Sequence, residues 1–471
     1  MDDSVSIVWF RRDLRLDDHP ALHEALSRGN QIIPLFIWDP DYEKPWIPGT
    51  ASRSWLMQSL QCLDQELKMK GSRLIFRQGS TLNALNDIIA SSRAKTILWH
   101  RRYEPAVAAR DKSTVQHLLQ KGVNVRILNG SLLRDPDSIR KENGDPYRVF
   151  TAYWNAHRRM EPHRAPLPSL PSHLPSVDST VYSDTIEADI FSMPSPTPPF
   201  EIHGFTPGEA GALRALDTFS SEWADQYDTS RDRPDFPGTS RLSPHLAWGE
   251  ISPVRIWHTM EQVSRIVMAS SGIKTFLREI GWREFAYHLL THFPDTPELP
   301  LRGEFRHFPW QKKPEAYEKW KSGDTGFPMV DAGMRELLHS GWMHNRVRML
   351  TASFLVKNLG ISWSEGAQWF WDRLYDADLA NNTLGWQWTA GCGADAAPFF
   401  RIFNPVIQGQ KFDPAGKYVR RWIPELSACP QRFIHTPWLA LGMEKPYTDR
   451  IVSLIESRQR ALNDFQSLSS Q

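Results

Sequence analysis

Two periodicities alternate from residue 5 to about 130. Apolar, largely β-branched runs at Val5 to Phe10, Gln31 to Trp38, Arg73 to Arg77, Lys95 to Trp99 and Val123 to Leu128 read as strands. Between them Pro20 to Arg28, Ala51 to Lys70, Thr81 to Ser92 and Pro105 to Lys121 carry helical spacing, with Gly29, Gly71 and Gly122 placed as helix stops. Strands separated by helical crossovers predict an α/β doubly wound parallel sheet, which binds ligands at the carboxyl ends of its strands.

After residue 200 the period becomes helical, over Pro207 to Tyr227, Pro253 to Val267, Lys274 to Phe293, Pro328 to His339, Asn345 to Leu359 and Trp363 to Leu374. This half is expected to be an all-α domain. Residues 162–199 hold nine prolines among Ser, His and Asp, a composition that predicts a connector without helix or core. The expected division is an α/β domain at 1–135, a connector at 136–204 and a helical domain at 205–471.

Composition narrows the possibilities. At 471 residues, with 41% hydrophobic and 23% charged positions, the chain has ordinary globular usage. Lys plus Arg is 55 against 54 acids, so any nucleic-acid site must be a local patch. Two such patches stand out: Arg346, Arg348 and Lys357 without an acid in 337–364, and Arg401, Lys411, Lys417, Arg420 and Arg421 against two acids in 395–424. Both interleave with aromatic residues, as suits a phosphate track beside a stacking surface. Cys62, Cys392 and Cys429 are scattered and lack metal-ligand spacing, so no metal is expected. No apolar run approaches the ~18 residues of a membrane span, and the amino terminus lacks leader features, so a soluble, cytoplasmic protein is expected. Of 20 Trp, fourteen follow residue 200; by composition alone they are core.

The turn after the first strand, RRDLRLDDHP, has no glycine, which argues against a dinucleotide site there. Arg231-Asp with GTSRLSP at 238–244, GWREF at 281–285, GWMHNRVRM at 341–349, DADLANNTLGWQW at 376–388 and RIFNP at 401–405, together with the amino-terminal WFRRDLRLDDHPAL, resemble the photolyase and cryptochrome family over nearly the whole chain.

The resemblance implies FAD in the helical domain. Tyr227, Thr239, Ser240, Arg241, Leu242 and Ser243 would hold its phosphate and ribitol side, and Phe276, Arg283, Arg348, Asp376, Ala377, Asp378 and Asn382 would complete the site. Asp376 would pair with Arg348. Asn382 falls where photolyases place an amide and plant cryptochromes an aspartate, which favours repair over signalling. Glu279, Trp282 and Arg283 share one helical face, because i, i+3 and i+4 are neighbours. In an anonymous helix they would read as a core Trp beside a surface salt bridge. In the family, Trp282 and Trp388 sandwich a flipped lesion while Glu279 hydrogen-bonds it, and photolyases are among the base-flipping enzymes.

Asn345 and Met349, also i and i+4, cannot shuttle a proton, whereas (6-4) enzymes carry His at both positions; the implied substrate is a cyclobutane pyrimidine dimer in duplex DNA. His344 is expected to be structural. Arg346, Arg401 and Gln408 are assigned to the DNA backbone, and Trp386, Trp363 and Trp310 to an electron chain between surface and flavin. Deazaflavin-binding relatives have an acid where this chain has Arg102 and a lysine at Ala247, and the usual folate-contacting pair aligns with Ala106 and Val107. Neither antenna site is intact, and folate is favoured slightly over deazaflavin. The expected function is light-dependent DNA repair by a monomer, with a cryptochrome-type photoreceptor as the alternative.

Overall fold

The computed structural model describes residues 5–29, 31–161, 163–176, 181–187, 202–266, 270–440 and 447–468. Strands β1 (Val5–Phe10), β2 (Gln31–Trp38), β3 (Ile75–Gln78), β4 (Thr96–His100) and β5 (Asn124–Leu128) form one parallel sheet in the order β3-β2-β1-β4-β5. Val5 pairs with Gln31 and Ser6 with Thr96, so β1 lies at the centre, buried along its whole length. Helices Pro20–Ser27, Thr50–Met69, Thr81–Ser92 and Pro105–Gln120 make the crossovers. Both faces of the sheet are apolar because helices cover both.

The carboxyl ends of these strands face the helical half. Arg12, just past β1, donates to Ala377 O at 2.9 Å and lies 4.6 Å from the Trp248 ring, while Leu14 N donates to Trp248 O. Thr50 caps onto Asp372 through both its N–H and its hydroxyl, at 2.9 and 2.8 Å. The motif WFRRDL is therefore spent on holding the two halves together.

Two corrections concern helices. The stretches expected as unbroken helices over Pro207 to Tyr227 and Asn345 to Leu359 each contain a π-helical turn, at Phe219–Trp223 and Phe354–Leu359. In the second, Lys357 is carried into the interior, where its Nζ donates to Arg401 O at 3.0 Å. The region expected to be a plain connector contains the helix Phe150–Arg159, whose Phe150, Tyr153, Trp154 and His157 are buried at i, i+3, i+4 and i+7.

Nor is the proline-rich stretch free of core. Its described part has no helix, but Leu174 and Val181 join the two cores of the sheet domain. Ile32 N donates to Pro175 O, and Asp184 N to Phe76 O. Proline removes donors but not acceptors, so such a segment can still pack against a finished sheet, accepting at Pro175 and donating where no proline stands, at Asp184. The last twelve of its residues, 188–199, lie outside the described residues.

Candidate functional site

A cavity of about 530 Å³ opens in the helical half, within the size range of small-molecule sites. Its walls come from the helices Ser271–His292, Asn345–Ser353, Trp363–Arg373 and Leu379–Ala390, and from the loop before Ser243. Tyr227, Ser240, Leu242, Ser243, Phe276, Arg283, Arg348, Asp376, Ala377, Asp378 and Asn382 line it, as do Glu279, Trp282, Asn345, Met349, Trp386 and Trp388. Residues expected to hold a cofactor and residues expected to hold a substrate thus share one chamber.

Its charged floor is fixed. Arg348 forks onto Asp376 with Nη1–Oδ1 at 3.1 Å and Nη2–Oδ2 at 2.8 Å, and its Nε donates to Met343 O at 2.7 Å. Asp378 caps the helix Leu379–Ala390 by accepting from Asn381 N at 2.8 Å, and also accepts from the Tyr287 hydroxyl. Asn382 is held by a bond from its Nδ2 to Ala367 O at 3.0 Å.

The other wall is aromatic. Trp282 stacks on Phe150 at 3.7 Å and 11°. Beside it Gly281 makes room for Trp154, because a Cβ there would lie 2.5 Å from Trp154 Cζ3. Trp386 lies against Gly366 in the same way and makes edge contacts with Phe370 at 5.0 Å and Trp320 at 6.3 Å. Trp363 is buried in the same core and Trp310 sits half-buried at its margin. Trp320, left among the packing residues by sequence, is the tryptophan ring paired with Trp386.

Glu279 bonds to Arg231 Nη1 at 2.5 Å, not to Arg283. Burial works against the Arg231 charge, but Glu279 outweighs it and raises the guanidinium above its ordinary value. Arg283 turns away, donating to Ser131 O at 2.9 Å beside the Tyr287 ring. The salt bridge that an anonymous helix would carry on that face does not form, because Glu279 is engaged by Arg231 and the Arg283 guanidinium by Ser131 O.

Several expected residues stand outside the lining. Thr239 and Arg241 do not reach it; Arg241, in the left-handed backbone region, places its guanidinium between Phe205 and Trp342 at 4.6 and 4.7 Å. Arg346 pairs with Asp232 at 2.7 Å and covers Phe412, while Arg401 is exposed beside exposed Phe400. Gln408 is half-buried on the helix Pro405–Phe412. His344 caps its helix by accepting from Arg346 N, and burial lowers its pKa to about 3, a structural place.

Sequence reading missed Phe150, Phe370 and Asn381, and used Arg231 only as a motif letter. The i, i+3, i+4, i+7 aromatic spacing from Phe150 was the available signal.

At the sheet's carboxyl edge, Arg102 is clamped by Glu43 at 3.0 Å and Glu104 at 2.9 Å, so it fills and neutralises its own surroundings. Ala106 and Val107 line a smaller cavity of about 160 Å³ with Trp46, Trp371 and Glu298.

One buried group among the described residues, Asp13, His19 and His100, has metal-ligating types. However, Leu22 N donates to His19 Nδ1 at 3.1 Å and Ala21 N to His100 Nε2 at 3.3 Å. Those bonds leave N–H groups on His19 Nε2 and His100 Nδ1, which lie 3.3 and 2.7 Å from Asp13 Oδ2. The lone pairs a metal would need are already used, and the trio reads as a buried polar cluster between the β1 and β4 ends.

Fold and cavity together define a two-domain ligand-binding protein whose helical half encloses a cofactor-sized chamber walled by tryptophan. Residues 6–172 match the family model for DNA photolyase and residues 276–467 that for the FAD binding domain of DNA photolyase. The chain is 44% identical to a deoxyribodipyrimidine photo-lyase of Agrobacterium fabrum, covering 97% of this chain and 96% of that protein. It is 38% identical to cryptochrome-1 of Arabidopsis thaliana, over 97% of this chain and 69% of that one. A bacterial class III photolyase structure from Agrobacterium tumefaciens superposes with a TM-score of 0.94 at 41% identity, over 100% of this chain and 99% of that one. The chain belongs to the DNA photolyase family.

Proposed function

We infer that the protein is a light-dependent DNA repair enzyme, a carbon–carbon lyase that splits cyclobutane pyrimidine dimers. The observation that carries this is the shared chamber: the Arg348–Asp376 pair and Asn382 lie in one cavity with Trp282, Trp388, Glu279, Asn345 and Met349.

The residues present fit a flavin. Bidentate Arg348, the Asp378 cap, Ser240, Ser243 and apolar Phe276 and Leu242 offer the mixture of donors, acceptors and apolar surface that a large polar ring system needs. When bound in its reduced form and excited by blue light, FAD supplies the electron that opens the cyclobutane ring. The chain does the rest. Trp282, braced by Phe150, and Trp388 present ring faces to a flipped dimer. Glu279, held by Arg231, is placed to hydrogen-bond the dimer's polar edge. Asn345 contributes an amide and Met349 an apolar contact, so this wall recognises without transferring protons. Arg346, Arg401 and Gln408 are assigned to phosphates of the duplex, and Trp386, Trp363 and Trp310 to electron delivery.

A signalling photoreceptor is disfavoured because Asn382 is an amide tethered to Ala367 O. An antenna pigment, folate rather than deazaflavin, is assigned to the cavity that Ala106 and Val107 line with the Arg102 clamp, since the chain has Arg102 and Ala247 where deazaflavin-binding relatives have an acid and a lysine. No helix among the described residues is long and apolar enough to cross a membrane; we assign the protein to the cytoplasm as a monomer. Blue-light illumination of reduced protein with dimer-containing oligonucleotide tests the reading. Dimers should disappear; their persistence overturns it.

A further inference from the structure

The helix Phe150–Arg159 joins two cavities. At its start Phe150 stacks on Trp282 in the chamber described above. At its end lies a second cavity, of about 620 Å³, that shares no lining residue with the first. Arg134, His157, Arg158, Arg159, His163 and Trp257 line it.

His157 is 1% exposed, yet neither of its ring nitrogens has a hydrogen-bond partner among the described residues; Nδ1 of His163 is likewise buried and unpartnered. Burial lowers His157 to about 3 and His163 to about 4, so each is neutral near pH 7; His157 offers one donor and one acceptor, while His163, bonded to the Leu133 backbone, keeps only Nδ1. Buried polar atoms without partners are uncommon in native proteins, because each carries its full desolvation cost. Among the described residues, exposed Arg158 engages Asn155, at 3.2 Å, and the Trp154 ring, at 5.9 Å from its centroid, while exposed Arg159 has no ion-pair partner. Of the two carboxylates at the rim, Glu261 accepts from Trp257 Nε1 at 2.8 Å, and exposed Glu161 offsets the charge of Arg134.

The exposed face between the cavities reads Thr151, Ala152, Asn155, Arg158 and Arg159, without an acid. The helix is about 15 Å long at ~1.5 Å per residue, which equals roughly four steps of B-DNA at ~3.4 Å each.

We propose that the second cavity is a nucleotide-phosphate subsite, in which Arg158 and Arg159 take the phosphate oxygens, His157 bonds the ligand from below, and Trp257 with His163 offers ring surface. The same chemistry has two sources: a free nucleotide, or the strand of a DNA substrate leaving the main chamber along Thr151 and Asn155. Only the second source rests on the DNA-repair reading.

The test uses flavin-loaded full-length protein, the double variant Arg158→Ala/Arg159→Ala and the variant His157→Phe, which keeps a ring in the stack. Retained visible flavin absorbance reports that each variant is folded. Three probes are titrated: ADP, a dimer-containing oligonucleotide with two flanking nucleotides on each side, and one with ten. ADP affinity lowered at least tenfold in both variants, with both oligonucleotides unaffected, identifies a free-nucleotide site. A loss of at least tenfold confined to the long oligonucleotide, with a shallower salt dependence, identifies the DNA strand and leaves the subsite standing. Unchanged affinity for all three probes in the arginine double variant overturns the proposal, as does loss confined to the short oligonucleotide.

Discussion

Arg348 and Asp376 meet as a two-bond fork at 3.1 and 2.8 Å, with the carboxylate buried and the guanidinium about a quarter exposed at the cavity floor. Removing one partner of such a pair leaves a largely desolvated charge, at the lower end of a cost of about 3–5 kcal/mol. Asp376→Asn and Arg348→Ala should each lower flavin retention at least tenfold, read as the ratio of visible flavin absorbance to protein absorbance after purification.

Glu279 is placed to act on substrate rather than on flavin. A charge-assisted hydrogen bond contributes about 1.5–3 kcal/mol, equivalent to roughly tenfold or more. Glu279→Ala should keep flavin bound and reduce dimers repaired per absorbed photon by that order. An unchanged yield would remove Glu279 from the assignment.

Arg346 shares its charge with Asp232 at 2.7 Å. Arg346→Ala should weaken DNA binding across sequences and reduce the slope of log affinity against log salt by about one. Asp232→Asn, which frees the guanidinium, should strengthen binding. Salt titrations of both variants separate a phosphate contact from a purely internal ion pair.

Trp386 lines the cavity and touches Phe370 and Trp320. Trp386→Phe should keep the packing against Gly366 while removing the easily oxidised ring. Photoreduction of oxidised flavin should slow at least tenfold, and repair by chemically reduced protein should persist. Fast photoreduction in the variant would show that electrons enter elsewhere.

Lys357 is 1% exposed, and burial lowers its pKa to about 8. An unfolded lysine titrates near 10.4, so between about pH 8 and 10.4 the unfolded chain binds more protons than the folded one. Stability attributable to this group therefore rises with pH across that window, by up to the order of 3 kcal/mol, and its cost is full below pH 8. Relative to wild type, Lys357→Met should gain most in melting temperature near pH 7.5 and progressively less toward pH 10. A difference independent of pH would contradict the buried charge.

The sheet was legible because buried parallel strands write themselves as continuous apolar runs, as in Val5 to Phe10 and Gln31 to Trp38, and because glycines mark the crossover helices. Much of the cavity lining was legible through motifs: Arg348 with Asp376, and Trp282 with Glu279. The Phe150 helix was not, since its neighbourhood is rich in proline and its apolar face is completed by Gly281, Trp282 and Phe285, more than a hundred residues away.

By itself the sequence determined the local periods, the two-part architecture and the residue types available for chemistry, all of which depend on neighbours within a few turns. Which of those residues face one another was decided by tertiary packing. Glu279 could pair with Arg283 on its own helix, yet it pairs with Arg231, 48 positions distant, because the helix buries Arg283 against Ser131. Arg241 places its guanidinium between Phe205 and Trp342, rings more than thirty and a hundred positions away in sequence. Spacing along a helix fixes the face a side chain leaves from; only the surrounding elements fix what it meets.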